Sequence, residues 1–248
     1  MSSEHNEEVN KKVLLSEEEG SSLNINGIKK GRKTIKNKIQ FQLTLNEEQK
    51  RIKADALQDD ISVFVGKAGS GKTLLATQIA LECLFYREVE RIIITRPTVS
   101  NEDLGFLPGN IKEKMDPWLS PIQANMFQLY SKEKIEKLMQ EDKIEIAPIS
   151  FLRGRTFVNS CVIVDESQNV TKSQMEMILS RLGVNSKMIL TGDANQIDLK
   201  QKKDSGLPYL FNMKGKIEGL GVYELKTNHR HPIVDDILQY FEDNKSEK

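Results

Sequence analysis

Short apolar runs alternating with stretches of helical spacing predict an α/β domain: three layers built around a mainly parallel sheet. Three observations carry this reading. Ile61–Val65 is a β-branched run that ends at a glycine-rich loop, and helical apolar spacing begins on the far side of that loop. Buried-strand runs recur at Arg91–Thr95, Ile144–Ala147, Cys161–Asp165, Lys187–Thr191 and Gly221–Leu225. Helix-compatible segments stand between them, and no internal repeat or second core is visible.

Residues 1–40 are polar and charged without sustained periodicity, so they are read as a disordered tail ahead of a domain spanning 41–248. The first twenty residues hold six acids and two lysines; the next twenty hold six bases (Lys29, Lys30, Arg32, Lys33, Lys36, Lys38) and no acid. A basic block of this kind either holds a phosphate backbone or, more often, is a solvated arm. After the first strand, Lys72–Tyr86 carries Leu74, Leu75, Ile79, Leu81 and Leu84 at helical spacing. The segment Pro97–Pro121, rich in Pro, Gly and Asn, reads as a long functional loop. One helix is expected from roughly Ile122 to Met139, and others at Thr171–Arg181, near Leu207–Met213 and at Ile233–Glu242. Thr171 followed by Gln174 has capping-box spacing.

Composition narrows the function classes. The 248 residues are 38% hydrophobic and 29% charged with a net charge of zero, so no global field points to nucleic acid. No run approaches the roughly 20 apolar residues that a membrane span needs. The acidic N-terminus lacks an apolar leader, so a cytoplasmic location is expected. Cys83 and Cys161 stand alone among apolar residues and read as packing side chains.

Gly66-Lys67-Ala68-Gly69-Ser70-Gly71-Lys72-Thr73 matches the P-loop pattern in full. The glycines let the backbone turn so that successive N–H groups face phosphate, and the helix starting near Lys72 adds its positive end. Lys72 is expected on the β- and γ-phosphates of ATP and the Thr73 hydroxyl on Mg²⁺. A second motif, Val162-Ile163-Val164-Asp165-Glu166, carries two acids to the carboxyl end of the sheet. Asp165 is the expected partner of Mg²⁺, and Glu166 the base that orients the attacking water. A third, Thr191-Gly192-Asp193-Ala194-Asn195-Gln196, ends another strand; Gln196 is its candidate sensor of the γ-phosphate or the water.

In this order the motifs resemble the PhoH-like family of phosphate-starvation-inducible P-loop ATPases, over roughly Leu43 to Phe241. Supporting stretches are Thr95-Arg96-Pro97, Leu104-Gly105-Phe106-Leu107-Pro108-Gly109, Ile146-Ala147-Pro148, Phe151-Leu152-Arg153-Gly154-Arg155-Thr156, Asp165-Glu166-Ser167-Gln168-Asn169 and Arg230-His231-Pro232. The resemblance extends to the first motor domain of superfamily 1 helicases. It implies a RecA-like P-loop NTPase domain with ATPase activity and, as in some members, RNA unwinding. It also implies an adenine-reading role for Gln49, the sensor role for Gln196 and an arginine finger at Arg230. Arg96, Arg153 and Arg155 are left open among phosphate, RNA and a neighbouring subunit; His229 and His231 read as structural. The chain departs from many relatives at Asn228-His229, where those are apolar.

Helicase motors place ATP between two such domains. A single domain is therefore expected to self-associate as a homo-oligomer such as a ring, with Arg230 or Arg155 supplied in trans. Three functions compete: an ATPase coupled to single-stranded RNA or DNA, an ATP-driven switch that recruits a protein partner, and a small-molecule kinase. Glu166 argues against the kinase, which needs no activated water.

Overall fold

A computed structural model describes residue 39, residues 41–97 and residues 121–244. The charged tail to residue 38, and the expected loop over residues 98–120 with its Leu104–Gly109 motif, lie outside the described residues. Among the described residues six strands form one sheet: β1 (Ile61–Val65), β2 (Arg91–Thr95), β3 (Ile144–Ile146), β4 (Ser160–Val164), β5 (Lys187–Gly192) and β6 (Leu220–Glu224). Their order is β3-β2-β4-β5-β1-β6, and every pairing is parallel. The α/β class expected from the pattern is therefore what forms.

An all-parallel sheet has to be covered on both faces, because its strands are apolar on both sides. The side-chain alternation shows how. Phe64, Ile92, Ile94, Cys161, Ile163 and Ile189 enter one core, whereas Val63, Ile93, Val162, Val164, Met188 and Leu190 enter the other. The first face is covered by α1 (Glu47–Ala56), α2 (Lys72–Phe85), a helical run over 121–129 and α3 (Lys132–Gln140). The second is covered by α4 (Lys172–Leu179) and α5 (Leu207–Asn212); α6 (Pro232–Asp243) ends the described chain. Both cysteines lie in the first core, and burial pushes the Cys161 thiol up to about 12, which leaves it an inert packing group.

Two elements differ from expectation. The single helix expected over Ile122–Met139 is two helices broken at Ser131, whose backbone is extended at φ −59°, ψ 137°. Ile122, Met126 and Leu129 face the core. A helix continued through Ser131 would bring Glu133 and Glu136 onto that face and turn Ile135 away. The break resets the phase, and Ile135 is fully buried. Helix α1 has no counterpart among the expected elements. Its start is a capping box in which Gln49 N–H donates to Asn46 Oδ1 at 2.8 Å and Asn46 N–H donates to Gln49 Oε1 at 3.2 Å. The box expected at Thr171 and Gln174 opens α4.

The strand before the glycine loop, β1, does not touch the acid-bearing strand β4, because β5 runs between them. The end of β5 is thereby wedged between the loop and the acids.

Candidate nucleotide site

The glycine loop leaves β1 and returns into α2 through two left-handed residues, Gly69 (φ 89°) and Gly71 (φ 81°). A Cβ at either place would also collide: 2.7 Å from Arg230 Cγ at Gly69 and 2.7 Å from Gln49 Nε2 at Gly71. Gly71 is the N-cap of α2 and brings no side-chain cap, so the first N–H groups of the helix are left for a ligand. Lys72 Nζ donates to Gly66 O at 2.7 Å and Lys67 O at 3.0 Å, so the ammonium bridges the loop. Burial pushes the Lys72 pKa down and nearby Arg230 adds to this; Asp193, Glu166 and Asp165 oppose it.

Strand β4 delivers Asp165, 4% exposed, to the same place. Its Oδ1 accepts from Thr73 Oγ1 at 2.7 Å and from Thr191 Oγ1 at 2.6 Å. Thr191 is the contribution of the intervening strand. Neighbouring oxygens of an octahedral Mg²⁺ site lie about 2.9 Å apart. The Thr73–Asp165 spacing suits adjacent ligands of such a cation. Among the described residues no three His, Cys, Asp or Glu side chains gather as a metal site. A cation here would therefore take its remaining ligands from phosphate and water.

Glu166 follows in a left-handed conformation, φ 52°, ψ 41°, which a non-glycine residue holds only when its surroundings enforce it. Arg96 stands 3.5 Å from its Oε1, and Gln168 Nε2 donates to its Oε2 at 2.6 Å. A cavity of about 270 Å³ is lined by Gly69, Lys72, Asp165, Glu166, Gln196 and Arg230, among others. A larger groove of about 550 Å³ runs between α1 and the far half of α2, past Phe41, Leu57 and the Lys53–Glu82 ion pair. It has no loop of backbone donors.

The remaining candidates fall as follows. Gln49 lies behind the loop, 3% exposed; its Oε1 serves the α1 cap, and its Nε2 stands 3.3 Å from His229 Nε2. An amide nitrogen only donates, so the imidazole nitrogen accepts. His229 N–H donates to Gly69 O at 3.1 Å, and Asn228 Oδ1 accepts from Arg230 N–H at 2.9 Å. Glu48 receives the N–H groups of Lys226 and Thr227, both at 3.2 Å. The segment after β6 is thus pinned along the loop and α1 by Glu48 and His229, while Asn228 braces the Arg230 backbone within the segment. Its geometry puts Arg230 over the loop of its own chain, whereas Arg230 or Arg155 was expected in trans. Arg153 is exposed.

Arg155 is occupied elsewhere, paired two-pronged with Glu145 at 2.6 and 2.7 Å. Hydrogen bonding to Arg155 holds the Glu145 carboxyl below its ordinary value. Both side chains are about one-third exposed, so solvent screening limits the pair to about 0.5–1 kcal/mol. Arg155→Met is expected to lose that much in urea unfolding at pH 7 and to leave nucleotide turnover unchanged. A carboxyl lowered by folding contributes fully above its ordinary 4.5 and loses its contribution as pH falls through the folded value. The stability gap between wild type and variant should close there. A thousandfold fall in turnover would instead make Arg155 the finger.

For Gln168 and Thr191 the sequence signals no role beyond membership of their motifs, and for Arg96 it leaves the partner open among phosphate, RNA and a neighbouring subunit. Nothing local marks which strand ends meet, and that meeting is what gives these three side chains their partners.

The family described as "PhoH-like protein" matches residues 43–242. A PhoH-like protein of Synechocystis is 44% identical over 186 residues, covering 74% of this chain and 57% of the relative. One of Bacillus subtilis is 42% identical over 197 residues, covering 78% and 62%. The chain thus spans about three-fifths of the length of these relatives. Among solved structures, the Pif1 helicase of Candida albicans is similar at 14% identity and a TM-score of 0.42, covering 81% of this chain and 44% of that one. The large terminase of a thermophilic bacteriophage is similar at 12% identity and a TM-score of 0.47, covering 79% and 50%. Among the described residues no helix is long and apolar enough to cross a membrane. With the P-loop matched in full, an all-parallel sheet beneath it and the family's pattern running through nearly the whole described domain, the chain belongs to the PhoH-like protein family.

Proposed function

We propose that this chain is a Mg²⁺-dependent ATPase that couples hydrolysis to single-stranded nucleic acid, RNA foremost. One observation carries the hydrolytic part: Glu166 opens onto the same cavity as Lys72 and Asp165. A carboxylate beside the phosphate cradle suits a water acceptor, whereas a kinase would keep that place clear for its substrate hydroxyl.

The residues divide the work. The backbone from Gly66 to Thr73 and the N-terminus of α2 receive the phosphates of ATP. Lys72 exchanges its two backbone carbonyls for β- and γ-phosphate oxygens. Thr73 and Asp165 would hold Mg²⁺, which when bound would draw charge from the phosphate oxygens. Glu166 takes the proton of the water in line with the γ-phosphate, and Gln196 hydrogen-bonds that water or the phosphate. Arg230 neutralises charge at the transition state, a contribution worth roughly 10³–10⁵ in rate for such fingers. Gln49, behind the loop, would read the base only by exchanging its His229 contact for it.

Coupling to nucleic acid is supported by the helicase-like order of the motifs and by the six bases between Lys29 and Lys38. Self-association belongs to the same reading, as a homo-oligomer such as a ring. It is supported by exposed Ile233, Ile237, Tyr240 and Phe241 along α6, an apolar stripe of the kind a second copy covers. A cytoplasmic setting fits a pair of thiols buried and unpaired.

The test is ATP turnover with and without single-stranded RNA or DNA across salt, with sedimentation of the same samples. Removing Mg²⁺ with EDTA should abolish turnover. Six phosphate contacts give a salt slope of about −4, so affinity should fall roughly 300-fold between 50 and 200 mM. A flat response leaves the ATPase standing and favours an ATP-driven switch that recruits a protein. A strict monomer with full stimulation rejects the oligomer.

A further inference from the structure

Gln168 does not line the cavity, yet its side chain spends every donor on the site. It is 1% exposed and belongs to the 3₁₀ turn Ser167–Asn169 that follows Glu166. Its amide nitrogen has two hydrogens. One donates to Glu166 Oε2 at 2.6 Å and the other to Gln196 O at 3.2 Å. Its Oε1 accepts from Asp193 N–H at 3.1 Å. The loop after β5 and the carboxylate after β4 are therefore joined through one planar group. The end of β5 is crowded around it: a Cβ at Gly192 would lie 2.7 Å from Leu207 Cδ2 and 3.0 Å from both Gln168 Oε1 and Ser167 Oγ.

We infer that Gln168 is a positioning residue that transmits the state of the 193–196 loop to the carboxylate of Glu166. This rests on the reading of Glu166 as the base. Glu166 has a left-handed backbone, and Gln168 is the neutral group that holds its side chain from within. Its other oxygen faces Arg96, a contact of 3.5 Å at the rim. When a γ-phosphate draws Asp193 or Gln196 toward it, Gln168 has to follow, since both loop contacts are made by its one rigid amide. Glu166 is then pulled on Oε2 while Oε1 turns from Arg96 to the water. Once phosphate leaves, the loop relaxes and the carboxylate returns.

The side chain type is specific. Asn is one methylene too short to span both strand ends. Glu keeps an acceptor for Asp193 N–H but sets a carboxylate against Glu166. A purely structural tie already exists beside it: Asn169 Nδ2 donates to Asp198 Oδ2 at 3.1 Å, and Asp198 N–H donates to Asn169 Oδ1 at 2.7 Å. That clasp anchors the same loop without touching Glu166.

The experiment compares Gln168→Glu, Gln168→Ala and Asn169→Ala in the whole chain, measuring kcat, KM for ATP, equilibrium binding of a fluorescent ATP analogue and melting temperature. Both Gln168 variants should lower kcat about 10²-fold, the effect of misplacing a reacting group by about 1 Å, with KM and analogue affinity within about threefold. Asn169→Ala should lower the melting temperature and change kcat less than about threefold. In a Glu166→Gln background, Gln168→Ala should cost no further kcat, because the two act as one unit. The inference is overturned if the two losses multiply, if Asn169→Ala costs as much as Gln168→Ala, or if the Gln168 variants turn over normally. Full hydrolysis by Glu166→Gln alone would instead remove the base assignment itself. Should the charged variant not fold, Gln168→Ala carries the comparison.

Discussion

Glu166→Gln is expected to bind ATP as tightly as wild type and to hydrolyse it about 10²–10⁴-fold more slowly, the usual range for a lost general base. The change is close to isosteric. A glutamine oxygen still accepts from Gln168 Nε2, and the left-handed backbone at φ 52° is no harder for Gln than for Glu. The loop, Lys72 and the Thr73–Asp165 pair are untouched, so nucleotide affinity should survive. Only the ability to take a proton from water disappears. Single-turnover hydrolysis read against equilibrium binding separates the two; normal hydrolysis would mean that another group activates the water.

Lys72→Met should show the opposite split. Two charge-assisted contacts to phosphate are worth about 3–4 kcal/mol, so ATP affinity should fall by about 10²–10³. The same change should leave the nucleotide-free protein with a melting temperature at or above wild type, because folding without ligand lowers the Lys72 pKa through burial. The sign is fixed by linkage. A lysine lowered by folding penalises the folded state while it is charged. Stability therefore rises as pH climbs through the lowered value and stops rising at the unfolded 10.5. Wild type should show that alkaline gain and the methionine variant should lack it. A lower melting temperature for Lys72→Met would mean that the bonds to Gly66 O and Lys67 O outweigh the burial cost.

Much of the domain is legible because its signals are local. Strand runs, the loop with its following helix and the capping box at Thr171 each depend on residues within a few positions. Where local signals mislead, a tertiary demand overrules them. Residues 122–139 have helical spacing throughout, but only a break at Ser131 lets both Leu129 and Ile135 reach the core. Asn46-Glu47-Glu48-Gln49 carries a capping-box signal as local as the one at Thr171, and the adenine-reading role implied for Gln49 obscures it.

By itself the sequence determined the glycine loop of P-loop pattern, the two acids at a strand end, the α/β class and, through its motifs, the family. Each follows from bonding geometry and side-chain type along short pieces of chain. Only the tertiary structure decided that β5 separates β1 from β4 and so sends Thr191 to Asp165. It alone draws Arg230 across the loop of its own chain and makes Gln168 the link between Glu166 and the 193–196 loop. Strand order and these meetings are set by which faces pack together. That free energy is shared by residues as distant in the chain as Gly69 and Arg230, and no short stretch contains it.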